Sequence, residues 1–270
     1  GLMWEKKRDG TSIHALLDQV RGNSKQLRIE TDLAETTTSQ YASIDSDGFT
    51  VNNSADYGVS DNLVSWHWKA NGQGSSNTDG SINTTYTSAN TTAGISIVQY
   101  TGTGSNATIG HGLGIAPQAI FVKKTNTAQS WRCGHVGMGW THGNNLNNNS
   151  AAYDSDTYWQ DTAPTTSVFS VGTDTEVNGS GATHIAYCFA EVRGFSKFGS
   201  YTGNGNADGT FVYTGFKPAF VLVKNTTASN NWFIQDNQRA GYNGANYLLK
   251  PNTNGAEDTG THIDLSLIHI

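Results

Sequence analysis

The sequence predicts an all-β protein, made of antiparallel β-sandwich units that recur about every 100–120 residues and are truncated at both chain ends. Three observations carry this prediction. First, Ile115-Ala116-Pro117-Gln118-Ala119-Ile120-Phe121-Val122-Lys123-Lys124 is written again as Phe216-Lys217-Pro218-Ala219-Phe220-Val221-Leu222-Val223-Lys224-Asn225. Tyr100-Thr101-Gly102 and Trp131 return at the same spacing as Tyr201-Thr202-Gly203 and Trp232, and Leu2-Met3-Trp4-Glu5-Lys6-Lys7 is a worn third copy aligned on its paired lysines. Second, strong helix formers are scarce, while short runs of Val, Ile, Thr and aromatics alternate with polar turns. Third, the 270-residue chain is only 36% hydrophobic and 14% charged, yet it holds 7 Trp, 11 Tyr and 10 Phe. Disordered chains are poor in aromatics, so folded strands are the better reading.

Taken in order, unit 1 spans residues 1–74. It is expected to hold strands at residues 2–7, 13–17, 48–51 and 63–69. In the last of these Val64, Trp66 and Trp68 share one face and Ser65, His67 and Lys69 the other. Residues 70–80 are rich in Gly, Ser and Asn and read as a connection. Unit 2, residues 75–194, is the complete copy. Residues 81–87 are expected to pair with 95–100. The strand at 119–124 follows, then an Asn-rich excursion from 135 to 166, then strands at 167–171 and 184–190. Ile185, Tyr187 and Phe189 form the large face of the last strand, and Ala186, Cys188 and Ala190 form a small face that lets a second layer approach. Unit 3, residues 195–264, is expected to hold strands at 211–213, 219–224, 232–234 and 247–249, without counterparts of unit 2's last two strands. Residues 265–270 match what a sequencing adapter encodes and are expected to be a library scar.

The net charge of −6 and the absence of any basic block speak against a nucleic-acid backbone as partner. No run is long and apolar enough to suggest membrane insertion. The 8 histidines fall at non-equivalent places in the copies and lack metal-ligand spacing, so no metal and no cofactor is expected. Cys133 and Cys188 leave two readings, a disulfide in an exported protein or two small, replaceable side chains. Gly102-Thr103-Gly104 and Gly110-His111-Gly112-Leu113-Gly114 lead into strands rather than helices, which makes them turns and not phosphate loops. No nucleophile elbow is present, and no catalytic residue is assigned.

Two polar sets remain as candidate ligand sites. Asp18, Arg21 and Glu35 match Asp236, Arg239 and Glu257, whereas unit 2 has His135, Met138 and Tyr153 in those places. Two carboxylates flanking an arginine can grip a polar ligand or pair for acid–base work. An Asp with an Arg three residues on is also an ordinary turn brace, and its loss from unit 2 favours the brace. The second set, Trp140, Tyr153 and Tyr158, lies with Trp159 among Asn144, Asn145, Asn147, Asn148 and Asn149. Aromatic faces with convergent amides suit sugar binding; the alternative is that Trp159 is core and the Asn run is solvated loop.

The phrases Ser75-Ser76-Asn77-Thr78-Asp79-Gly80-Ser81-Ile82, Ser88-Ala89-Asn90-Thr91-Thr92-Ala93-Gly94, Gly110-His111-Gly112-Leu113-Gly114-Ile115-Ala116-Pro117 and Ala190-Glu191-Val192-Arg193-Gly194-Phe195-Ser196-Lys197-Phe198-Gly199-Ser200-Tyr201-Thr202-Gly203 resemble an uncharacterised repeat domain of tailed-phage virion proteins, often found beside concanavalin A-like lectin domains. The resemblance implies a tail fibre or other virion structural protein. It would be extracellular, in contact with other virion proteins and with host-surface polysaccharide, and a homo-oligomer (a trimer) if it forms a fibre. It brings no catalytic residues. A glycan-degrading tailspike-type enzyme and a secreted bacterial adhesin are the alternatives. Trp4-Glu5 replaces the apolar strand centre in unit 1, which departs most from the pattern, so its start is expected to be poorly ordered.

Overall fold

The computed structural model describes residues 1–45, 47–52, 61–206, 208–239, 247–259 and 263. Residues 265–270, read above as a scar, lie outside them. The fold is almost entirely antiparallel β, with three inward-facing sheets around one core.

The first sheet comprises β1 (Leu2–Lys7), β2 (His14–Asp18), β3 (Lys25–Arg28), β4 (Thr36–Thr37) and β7 (Leu63–Trp68), in the order β4-β3-β2-β1-β7. β5 (Tyr41–Ile44) and β6 (Phe49–Val51) form a separate hairpin. The start of the chain is thus the middle of a sheet, and Trp4 and Glu5 are both buried. This corrects the expectation of a loose start. Trp4 stands opposite Leu16 and Trp66 on the core face, and Glu5 on the other face accepts a hydrogen bond from Tyr41.

The second sheet is built from β8 (Tyr86–Asn90), β9 (Ile95–Thr101), β11 (Pro117–Lys124), β12 (Arg132–His135), β13 (His142–Asn145), β14 (Tyr153–Asp154) and β16 (Thr183–Ala190), in the order β14-β13-β12-β11-β16-β9-β8. The partner of β9 is residues 86–90, not the expected 81–87. Ile82 instead bridges to Ile109 on β10 (Ala107–Gly110), which pairs with β15 (Val168–Val171). The Asn-rich excursion is not plain loop either. It carries β13, β14 and the one-turn helix α1 (Asp156–Trp159), capped by Ser155; a second turn, α2 (Thr175–Asn178), is capped by Asp174. In the third sheet β17 (Phe220–Lys224) pairs with β18 (Trp232–Asp236), and Ile234 bridges to Leu249 beside β19 (Tyr247–Leu248), which pairs with β20 (Asp258–Thr259). Residues 211–213, expected as a strand, form none and are exposed.

Period-two patterning gives each sheet an inward apolar face. Leu2, Trp4, Leu16 and Trp66 from the first, Ile97, Trp131, Ile185 and Tyr187 from the second, and Trp232, Ile234 and Leu249 from the third meet in one cluster. Each such buried side chain contributes roughly 1.5–3 kcal/mol, so a shared core orders a chain this polar. The outer face of the second sheet (Val98, Tyr100, Ile120, Val122, Ala186, Cys188) is covered by β10, β15, α1 and α2. Ala186 and Cys188 are small where that layer comes close, as the sequence indicated. The hairpin β5–β6 covers Met3, Ala15 and Leu17 on the first sheet. Cys133 faces the central cluster and Cys188 the outer one, and both thiols are free.

The contacts between sheets close in a ring. The Glu35 N–H donates to the Thr125 carbonyl (2.8 Å), Ala152 N–H to Thr226 (2.9 Å) and Glu257 N–H to Arg8 (2.7 Å), so the first sheet leans on the second, the second on the third and the third on the first. Side-chain contacts follow the same rotation. Trp131 Nε1 donates to the Arg28 carbonyl (2.9 Å) and Trp232 Nε1 to that of Asn145 (2.8 Å). Lys123 Nζ reaches the Asp32 carbonyl (2.9 Å), and Lys224 Nζ that of Asn149 (3.3 Å).

Candidate functional site

The two charged sets predicted from the sequence are two copies of one clamp. At the end of β2, Arg21 Nε donates to Asp18 Oδ2 (2.6 Å), its Nη1 to Glu35 Oε2 (3.0 Å), and its Nη2 to the Leu16 carbonyl (3.3 Å). At the end of β18, Arg239 Nε donates to Asp236 Oδ2 (2.6 Å), Nη1 to Glu257 Oε2 (2.8 Å) and Nη2 to the Ile234 carbonyl (3.2 Å). Asp18 Oδ1 and Asp236 Oδ1 also accept the backbone N–H of Arg21 and Arg239, which is the turn brace.

Each clamp is capped by an aromatic from a neighbouring sheet, a partner that reading the charged residues alone did not reveal. Tyr187 on β16 donates its hydroxyl to Asp18 Oδ2 (2.7 Å), and Trp66 on β7 donates Nε1 to Asp236 Oδ2 (3.1 Å). The signal was present, because Trp66 and Tyr187 occupy matching places on matching strands. Burial works against charge on Arg21, but Asp18, Tyr187 and Glu35 outweigh it and hold its pKa above the usual arginine value. Burial beside Asp18 pushes the Tyr187 hydroxyl well up, so it stays a donor. Asp236, Arg239 and Glu257 are all nearly buried, and both carboxylates are bridged by one guanidinium. They face a seam between sheets and not an open cleft. A depression of about 410 Å³ lies at the seam of the first and second sheets, lined by Arg21, Lys25, Glu35, Gln99, Thr125 and Thr183.

The aromatic set divides. Trp140 is packed in the outer core, edge-on to Trp159 (5.9 Å), and offers no stacking face to solvent. Tyr153 and Tyr158 come together at the β13–β14 edge, where Tyr158 Oη reaches Tyr153 Oη (3.4 Å) and Tyr153 Oη donates to Asn145 Oδ1 (3.0 Å). Arg132, not singled out from the sequence, organises this corner. Its guanidinium lies 4.0 Å from the Tyr158 ring centre and 5.1 Å from that of Tyr153, and it pairs with Asn145 and Glu176. Burial lowers the Arg132 pKa and raises those of Glu176 and Tyr158. Of the Asn run, Asn147 is spent on structure: its Oδ1 accepts the Trp131 N–H (3.0 Å), as Glu30 accepts from His14 (3.0 Å) and Asn252 from Trp232 (2.9 Å). Asn148 is half-buried and its Oδ1 accepts the Ser150 N–H (3.0 Å), while Asn149 is exposed.

Among the described residues no group of His, Cys, Asp or Glu is placed to hold a metal ion, and no helix is long and apolar enough to cross a membrane. Comparison with known families matches residues 1–268 to a domain of unknown function, DUF7483. The chain belongs to the DUF7483 family. No curated protein and no solved structure matches it. The geometry separates charged groups locked in seams from an aromatic and amide corner at a sheet edge.

Proposed function

We propose that this protein is a structural component of a phage particle, a tail fibre or tail-associated protein, which recognises host-surface glycan through the Tyr153–Tyr158–Asn145 corner. The observation that carries the recognition half is the ordering of that corner: Arg132 fixes both rings, and half-buried Tyr153 donates its hydroxyl to the Asn145 side-chain oxygen. A fixed ring with neighbouring amides binds a sugar face at little entropic cost. The virion half rests on the resemblance of the phrases around residues 75–82, 110–117 and 190–203. The carboxylates that acid–base chemistry requires are held in arginine clamps, which supports a scaffold over a depolymerase.

A glycan array probed with the intact protein tests the first half. Binding is expected, and Tyr153→Ala should weaken it about tenfold, the loss of one stacking contact of roughly 1–1.5 kcal/mol. A silent array would remove recognition from the proposal, and release of new reducing ends from a bound glycan would turn it toward the enzyme. Detection of the protein in purified particles by mass spectrometry tests the second half.

A further inference from the structure

The third sheet repeats the other two except for one strand. β17 holds the place of β1 and β11, and β18 that of β2 and β12. In the first two sheets the far edge of the central strand is filled by β7 or β16. Among the described residues nothing pairs with that edge of β17. The backbone groups left open can be named. Ile234 exchanges both hydrogen bonds with Leu249 (2.8 and 3.1 Å), so its N–H and C=O point away from β17. Antiparallel geometry then turns the N–H and C=O of its opposite residue, Leu222, away from β18 and into the open edge, with Phe220 and Lys224 alike. β1 is buried over five of its six residues, whereas all five residues of β17 are half-buried.

Two further observations point to the same gap. Trp68 and Phe189, the last aromatics on β7 and β16, touch at 6.1 Å in the central cluster, and Trp68 also meets Phe220 at 5.4 Å. Both are only half-buried, and among the described residues no third strand-borne ring equivalent to them stands beside them. Upstream, residues 195–213 repeat phrases that form β9 and β10 in the second sheet, yet they form no strand. Phe195, Tyr201, Phe211 and Tyr213 are exposed, Tyr213 at 75%. β9 is held by β8 and β16 and β10 by β15, and among the described residues no strand takes those places beside residues 195–213, so these segments join no ladder.

We propose that the open edge of β17 accepts one further antiparallel strand from a separate peptide segment. Its chemistry copies β7 and β16, a branched aliphatic and two aromatics alternating toward the core, with small residues on the outer face as on β16. Backbone pairing would give affinity and the aromatic positions specificity. The test adds to the full chain a synthetic peptide with the sequence of Thr183–Ala190, carrying Ala in place of Cys, and follows amide exchange.

Saturable one-to-one binding is expected, with exchange at Leu222 and Lys224 slowed about tenfold or more and slower exchange across residues 195–213. Leu222→Pro removes the N–H that faces the open edge together with a half-buried side chain on the central cluster, so it should fold with lower stability and fail to bind. A peptide with its large and small positions exchanged should bind about tenfold more weakly or worse, and this comparison stands even if the proline variant misfolds. Absence of peptide binding overturns the proposal. So does protection of β17 in the peptide-free chain. Protection lost on dilution would give the edge to a second copy of this chain, and concentration-independent protection to the chain's own residues beyond 259.

Discussion

Arg21 and Arg239 each hold two carboxylates and a strand-end carbonyl, with an aromatic donor from a neighbouring sheet completing the shell. Removing one member of such a buried set leaves the others uncompensated. Arg21→Met, which leaves the buried Asp18 carboxylate without its counter-charge, should therefore cost about 3–5 kcal/mol in urea unfolding. Replacing Asp18 together with Arg21 by apolar residues should recover part of that loss, since the desolvated charge goes with its partner. A second residue gives the chain an acid limit. His14 is fully buried, its Nδ1 accepts the Trp4 indole N–H (3.1 Å), and burial, with Lys6 beside it, lowers its pKa to about 3. The unfolded chain takes up this proton near pH 6.5 and the folded chain only near 3. The stability tied to neutral His14 is thus present above pH 6.5 and is lost as pH falls toward 3. His184, lowered by burial to about 4, acts in the same sense. Melting temperatures from pH 7 to 4 should fall, and His14→Gln, which retains an acceptor for Trp4, should fall less steeply. An equal slope in the two proteins would remove His14 from the account.

At the scale of elements, β12 shows how sequence and packing fix each other. It runs beneath two indoles at Gly134, where a Cβ would sit 2.6 Å from the Trp140 ring and 2.8 Å from that of Trp159. Gly134→Ala should thus cost about 1–3 kcal/mol through overpacking, and Trp140→Ala about 3–5 kcal/mol through the cavity it leaves, both read by denaturant titration. Glycan binding in Trp140→Ala should change only as folding does. The strands were legible in the sequence wherever period-two alternation was strong, as in Leu63–Trp68 and Thr183–Ala190, and wherever a repeated phrase supported a weak pattern, as in His14–Asp18. Residues 211–213 carry strand propensity too, but propensity does not supply the neighbour that a strand needs. The site was half legible. Charged triads stand out because they recur, whereas the role of Arg132 depends on Tyr153, Tyr158 and Glu176 converging from β14, α1 and α2, which no spacing reveals.

For the whole molecule the decisive feature is that the inward faces of the three sheets share one central cluster. The central cluster takes side chains from all three, and the hydrogen bonds Glu35–Thr125, Ala152–Thr226 and Glu257–Arg8 tie each sheet to the next around the ring. A tandem array of self-contained sandwiches would melt in steps, each unit at its own temperature. A ring with a shared core has no step at which one sheet can leave without exposing the inward faces of the other two, so its unfolding should be a single transition. Calorimetry on the full chain should give equal van't Hoff and calorimetric enthalpies, and near-UV and far-UV circular dichroism should coincide. Arg239→Met at the seam of the third and first sheets, and Trp131→Ala in the second, should each shift that one transition as a whole. A variant in which one seam melts early while the second sheet keeps its near-UV signal would show the ring to be divisible.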